Sequence, residues 1–197
     1  MLTLYYAPKT RALRPRWTLE ELGIPYELSY VDLQHGEQKG PEYLRIHPHG
    51  KVPALKDGER IIFESGAICT YLADQHPDKG LAPKLNSPER AEYYQWLFYV
   101  PGTLKPALKA FYPLLKPGVK TDEMPCSKAF NECAEVLSEA LEGRDYLLGR
   151  QFTTADILVG AALFTAMRLN LLNEYPVLRE YVDRLRHRRP CQQAILD

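Results

Sequence analysis

Apolar residues follow two rhythms along this chain, one before about residue 78 and another after residue 88. In the first stretch the apolar runs are short and interrupted by turns. Leu2 to Tyr6 is β-prone and ends at Ala7-Pro8, whereas Arg11 to Leu22 is rich in helix formers and stops at Gly23, with Pro25 just beyond. Pro15 lacks a backbone donor and is tolerated only in the first turn of a helix, so that helix is expected to begin near Ala12 to Arg14. Tyr26 to Val31 predicts a second strand and Pro41 to Ile46 a short helix. Val52 to Leu55 and Arg60 to Phe63 flank the turn Lys56-Asp57-Gly58-Glu59 and predict a hairpin. A helix opening at Ser65 keeps Ile68, Tyr71 and Leu72 on one face. The order βαβαββα within residues 1–78 describes a small α/β sandwich.

Residues 79–87 shift to Pro, Gly, Lys, Asn and Ser, the composition of a linker, and everything from 88 to 197 reads as helix. Tyr93, Trp96, Leu97, Val100 and Leu104 recur at i, i+3, i+4, i+7 and i+11, as do Phe130, Cys133, Ala134, Leu137 and Leu141. Leu178, Tyr181, Val182 and Leu185 repeat the pattern. Pro101, Pro106, Pro113 and Pro117 must kink or interrupt the first of these helices, giving a bent element suited to line a cleft. Phe152-Thr153-Thr154-Ala155-Asp156-Ile157 reads as a capping box, with Thr153 capping the helix, Asp156 returning a bond to the Thr153 N–H, and Phe152 and Ile157 as the staple.

Composition narrows the partners. Basic and acidic residues both number 25, for a formal charge of zero, and residues 1–85 are balanced as well, so no half of the chain is a polyanion magnet. Two basic clusters exist, Lys9, Arg11, Arg14 and Arg16 near the start, beside a candidate site for an anionic ligand, and Arg184, Arg186, Arg188 and Arg189 near the end, on the polar side of an amphipathic helix; a solvated helix face is the default for both. The amino terminus lacks a secretory pattern, and the longest apolar run, Ile157 to Met167, is too short to cross a bilayer. Cys69, Cys126, Cys133 and Cys191 show no metal-ligand spacing with the five histidines; a cytoplasmic protein with free thiols and no metal is expected, with no nucleic-acid or membrane partner.

Chemistry concentrates at Lys51-Val52-Pro53 and at Phe63-Glu64-Ser65. A proline opening an inner strand forfeits a ladder hydrogen bond, and a cis bond before Pro53 would turn the Val52 N–H and C=O outward toward an extended peptide ligand. Glu64-Ser65 opens a helix, whose free N–H groups and positive dipole end suit a carboxylate. Together they describe a pocket for a small acidic peptide.

With those motifs in place, the whole chain resembles the cytosolic glutathione transferases of bacterial type. The resemblance implies a thioredoxin-like N-terminal domain over 1–78 and an all-helical C-terminal domain over 88–197 that forms the electrophile site. It implies that Val52 and Pro53 hold the cysteinyl backbone of glutathione, that Glu64 and Ser65 bind its γ-glutamyl end, and that Gln38 and Lys51 contact its glycyl carboxylate. A free thiol has a pKa of ~8.5 and must be activated. Tyr5 stands where tyrosine classes keep their donor, while Thr10-Arg11 resembles the Ser-Arg of classes with a helix like Trp17 to Leu22. Thr10 is favoured slightly, Tyr5 is the alternative, and Arg11 is a supporting cation. Arg11 occupies the position of the nucleophile in cysteine classes, which argues against a thiol mechanism. Tyr93, Tyr94, Trp96, Phe98, Tyr99, Phe111 and Tyr112 along the kinked helix suit an apolar electrophile, with core or dimer contact as the alternative for most of them. The family implies a homodimer, with glutathione as co-substrate. A glutathione-dependent disulfide reductase or peroxidase, or a non-catalytic binding protein on the same fold, is the competing reading.

Overall fold

The computed structural model describes residues 1–115 and 127–196. Pro117 and Cys126 lie outside the described residues. Contacts divide the chain into two units, Met1–Leu81 with Arg188–Asp197, and Ala82–His187. The first unit therefore takes in the last ten residues, which the composition alone had grouped with the helices.

In the first unit β1 (Leu2–Tyr6), α1 (Leu13–Leu22), β2 (Tyr26–Tyr30), α2 (Pro41–Leu44), β3 (Ala54–Asp57), β4 (Arg60–Phe63) and α3 (Ser65–Gln75) follow the βαβαββα order. The sheet order is β2-β1-β3-β4, with β1 parallel to β2 and antiparallel to β3, and β3 antiparallel to β4. This is the thioredoxin-like arrangement. Asp57 pairs with Arg60 across Gly58-Glu59, and Gly58 at φ 57° supplies the positive φ that a two-residue hairpin wants at its first central position. Pro15 sits in the first turn of α1, and Gly23 ends that helix at φ 63°, its N–H donating to the carbonyls of Leu19 and Glu20. Successive side chains of β1 leave opposite faces. Leu4 is buried opposite Leu55, and Tyr6 meets Arg16 of α1, whose guanidinium lies 5.8 Å from the ring. Tyr5 instead meets Tyr43 of α2 edge-on at 5.9 Å.

The closing helix of the chain, Arg189–Ile195, packs on α1. Arg188 just before it grips Glu21 bidentately, at 2.6 Å (Nε to Oε1) and 2.7 Å, and the Trp17 Nε1–H donates to the same carboxylate at 2.9 Å. A fork of this kind fixes both position and angle.

The second unit is helical: α4 (Glu89–Tyr99), α5 (Lys105–Leu108), α6 (Lys128–Leu141), α7 (Thr154–Arg168) and α8 (Pro176–Arg186), so the closing helix is α9. Between α4 and α5 the chain makes a π-helical turn at Val100–Leu104, and Lys109–Leu115 continues as a 3₁₀ helix. Pro101, Pro106 and Pro113 fall in these three segments, where each missing donor loosens the α-ladder. The expected core faces of α4, α6 and α8 are all buried; α4 and α8 pack against α7, which is apolar almost all round, and α6 packs on α8. No helix among the described residues is long and apolar enough to cross a membrane.

The Thr153 side chain accepts the Ala155 N–H at 3.3 Å, and Asp156 accepts the Thr153 N–H at 2.8 Å. Asp156 also takes the Leu147 N–H at 2.9 Å and the Tyr181 hydroxyl at 2.8 Å, tying α7 to α8 and to the segment before α7. Burial pushes its carboxyl up to about 6, although these donors pull the other way.

Candidate active site

Four segments of the first unit carry the residues singled out in the sequence. The first is the turn from β1 into α1. Ala7 is buried, and Lys9 takes φ 58°, a left-handed conformation that turns the chain sharply. The Thr10 hydroxyl donates to the Ala7 carbonyl at 2.6 Å and accepts the Ala12 N–H at 3.2 Å. It caps the turn before the helix, and its only proton is held by that carbonyl. Arg11 is exposed, and its side chain has no partner among the described residues. Tyr5 is half-buried, and its hydroxyl likewise has no partner among them. The ring of Tyr43 beside it is anchored by donating its hydroxyl to the Lys51 carbonyl at 2.8 Å.

The second segment is Lys51-Val52-Pro53, where the bond before Pro53 is cis. Because β3 begins only at Ala54, neither the N–H nor the C=O of Val52 has a hydrogen-bond partner among the described residues. A main chain with both groups unpaired offers the two bonds of an antiparallel peptide pair.

The third is the start of α3. Glu64 stands at φ 73° and ψ 114° with an exposed side chain, an arrangement costing roughly 1–3 kcal/mol for a residue with a Cβ. Its carbonyl accepts the Ile68 N–H at 3.0 Å, so α3 winds from it and leaves the N–H groups of its first turn free of intrahelical partners. Ser65 is buried and its hydroxyl oxygen accepts from Arg14 Nη1 at 3.2 Å.

The fourth pairs Gln38 with the loop before Lys51. A Cβ on Gly50 would lie 2.3 Å from the Gln38 carbonyl oxygen, so only glycine permits this approach. Lys39 Nζ donates to the His49 carbonyl at 2.9 Å. Gln38 donates its Nε2 to the Leu33 carbonyl at 3.4 Å, while its buried Oε1 has no partner. Lys51 is exposed.

The basic cluster of the amino-terminal turn is not a solvated face throughout. Arg11 is exposed, but Arg14 is only 6% exposed and faces Ser65. Sequence reading missed this, because Arg14 is three residues from Arg11 and one from Pro15, with no polar pattern marking its direction. The one available signal was its helical register with Thr18, which is buried and donates to the Arg14 carbonyl at 3.0 Å. Of the second cluster, Arg188 is committed to Glu21, and Arg184 donates to the Asp145 carbonyl. Cys69 is fully buried, with its thiol pushed up to about 12 by burial, so it is no nucleophile. In the helical unit Tyr93, Trp96 and Phe111 are core, whereas Tyr94 and Phe98 are exposed. Among the described residues no group of His, Cys, Asp or Glu could hold a metal ion.

Against this geometry, comparison with known proteins is specific. Residues 1–74 match "Glutathione S-transferase, N-terminal domain" and residues 92–189 match "Glutathione S-transferase, C-terminal domain". The chain is 34% identical to the disulfide-bond oxidoreductase YfcG of Escherichia coli K12, over 100% of this chain and 95% of that protein. It is also 34% identical to glutathione S-transferase GstA of Escherichia coli O157:H7, over 85% of this chain and 81% of the relative. A sphingomonad glutathione S-transferase solved with glutathione superposes with a TM-score of 0.83 at 29% identity, covering 98% of this chain and 96% of the other. Two matched domains in the expected order, and relatives 34% identical over at least four fifths of both chains, establish that this chain belongs to the glutathione S-transferase family.

Proposed function

We propose that the protein is a glutathione transferase that adds the thiolate of glutathione to hydrophobic electrophiles. The observation that carries the reading is the unpaired Val52 main chain in the same unit as the α3 start, where Glu64 and Ser65 stand. Val52, with Pro53 fixing its direction, pairs with the cysteinyl backbone. The exposed Glu64 carboxylate takes the γ-glutamyl ammonium, while Ser65 and the first N–H groups of α3 take the γ-glutamyl carboxylate. Gln38 and Lys51 contact the glycyl carboxylate, Lys51 by its charge and Gln38 by turning its amide N–H from the Leu33 carbonyl. Family membership and the glutathione-bound relative support the same ligand.

The protein lowers the thiol pKa by giving the sulfur a hydrogen bond and a nearby cation. Thr10 can donate only by leaving the Ala7 carbonyl, whereas the Tyr5 hydroxyl is unengaged. This orders Tyr5 ahead of Thr10, with Arg11 as the cation. Exposed Phe98 and Tyr94 supply apolar surface for the electrophile. The reading carries with it a cytoplasmic homodimer engaged in detoxification, its assembly measurable by sedimentation.

A second reading is favoured by the relative named as a disulfide-bond oxidoreductase. In it the glutathione thiolate attacks a mixed disulfide, forming glutathione disulfide and releasing the other sulfur as a thiolate. An ultraviolet difference titration of glutathione across pH tests the shared step: a saturable thiolate signal at neutral pH is expected, and its absence together with no heat of binding would sink both readings. Turnover of an arylating electrophile against a mixed disulfide then separates them.

A further inference from the structure

His47 belongs to none of the roles above, yet it sits where they meet. It is 4% exposed, in the loop between α2 and Lys51. Its carbonyl accepts the Gly50 N–H at 2.7 Å and closes the turn, its own N–H donates to the Tyr43 carbonyl at 2.9 Å, and its Nδ1 accepts the His49 N–H at 3.3 Å. The ring lies 5.0 Å from that of Phe63 at the end of β4, directly before Glu64. One imidazole thus joins the turn that leads into Lys51 and Val52 to the strand end that leads into Glu64 and Ser65.

We propose that His47 is a positioning residue for the glutathione cradle, its neutral imidazole clamping the 47–50 turn against the end of β4. The proposal rests on the glutathione reading. An imidazole accepts at Nδ1 only while that nitrogen carries no proton. On protonation the His49 N–H loses its acceptor, and a buried cation appears beside His49 and Lys51. The same cation faces Glu64, the carboxylate assigned to the ligand's ammonium, and competes with that ammonium for it. The charged and titratable groups that face the ring are therefore His49 and Lys51 of its own loop and Glu64 at the end of β4. Burial, His49 and Lys51 oppose the charged form, Glu64 and a hydrogen bond to the residue's own backbone favour it, and the outcome is a shift below the ordinary value of 6.5. The clamp is therefore set at neutral pH and releases below pH 6.5 as acid drives the proton on.

Calorimetric titration of S-methylglutathione into the full chain at pH 7.5 and pH 5.0 tests this, because that ligand has no thiol to titrate. The wild type is expected to bind more weakly at pH 5.0 than at pH 7.5, the loss tracking the protonated fraction of His47. His47→Asn keeps an acceptor oxygen near the Nδ1 position and cannot titrate. It is expected to bind within about twofold of wild type at pH 7.5 and equally at both pH values. His47→Leu is expected to bind weakly at both, with its fold checked by circular dichroism. His35→Gln is expected to keep the wild-type fall. Equal wild-type affinity at both pH values, a parallel fall in His47→Asn, or wild-type binding by His47→Leu would overturn the proposal. No binding at pH 7.5 would overturn the glutathione reading with it, whereas pH-independent binding would overturn the clamp alone.

Discussion

Ser65 has one proton and two lone pairs to distribute. Arg14 Nη1 takes a lone pair at 3.2 Å, so the proton is free to point at a ligand carboxylate, and the guanidinium places a buried positive charge behind the start of α3. Arg14→Met is therefore expected to weaken glutathione binding about five- to twentyfold while leaving the pKa of the bound thiol unchanged, because a lost charged hydrogen bond is worth about 1–2 kcal/mol. Arg14→Lys keeps the charge without the planar fork and should recover part of the loss. Equal affinity in Arg14→Met, measured by calorimetry, would show that the contact is structural alone. Activation of sulfur is a separate matter at the other end of the turn. Tyr5→Phe is expected to leave about tenfold less thiolate at neutral pH, a shift near 1.4 kcal/mol, and Thr10→Val a smaller loss, both read from the ultraviolet titration. The reverse order would return Thr10 to the leading place.

At the scale of elements, the capping box of α7 does more than start a helix. Asp156 accepts from Leu147, Thr153 and Tyr181, so one carboxylate holds the ends of three segments inside the helical core. Asp156→Ala leaves those donors buried without acceptors and is expected to cost about 3–5 kcal/mol in urea unfolding; a loss under about 1 kcal/mol would refute the assignment. The sign of its pH dependence also follows. The folded carboxyl titrates at about 6 and the unfolded one near 3.8, so the folded state binds a proton more readily across that interval. Its contribution favours folding below pH 4 and declines as pH rises to 6. Asp156→Asn removes that slope, so the stability of the wild type relative to the variant should rise toward acid. A constant difference from pH 4 to pH 7 would show that burial does not govern this group. The capping pattern was legible from Thr153 and Asp156 alone, because its bonds join residues three apart. The Tyr181 bond was not, because it crosses 25 residues and depends on how α7 and α8 pack.

For the molecule as a whole, legibility followed the same division between local and distant. The seven elements of residues 1–78 could be read from turn residues and periodicity, and the core faces of α4, α6 and α8 from their apolar stripes. Arg14 on Ser65, His47 on Phe63 and the return of α9 to α1 could not, since each joins segments that the chain separates by 16 to 167 residues. The last of these has the widest reach. Glu21 has only 6% of its side chain exposed, and it tolerates burial because Arg188 and Trp17 satisfy it. Arg188→Met leaves that carboxylate buried and half-paired, which is expected to cost about 3–5 kcal/mol, whereas the double variant Arg188→Met with Glu21→Gln removes the stranded charge and should recover much of it. Because α1 carries Arg14 in its first turn and the Glu21 fork near its last, loosening α9 should also slacken the hold on Ser65. Glutathione affinity in Arg188→Met is therefore expected to fall along with thermal stability, although no atom of Arg188 is assigned to the ligand. An affinity unchanged while stability drops would mean that α1 is held in place from the sheet side alone, with α9 adding stability and nothing to the site.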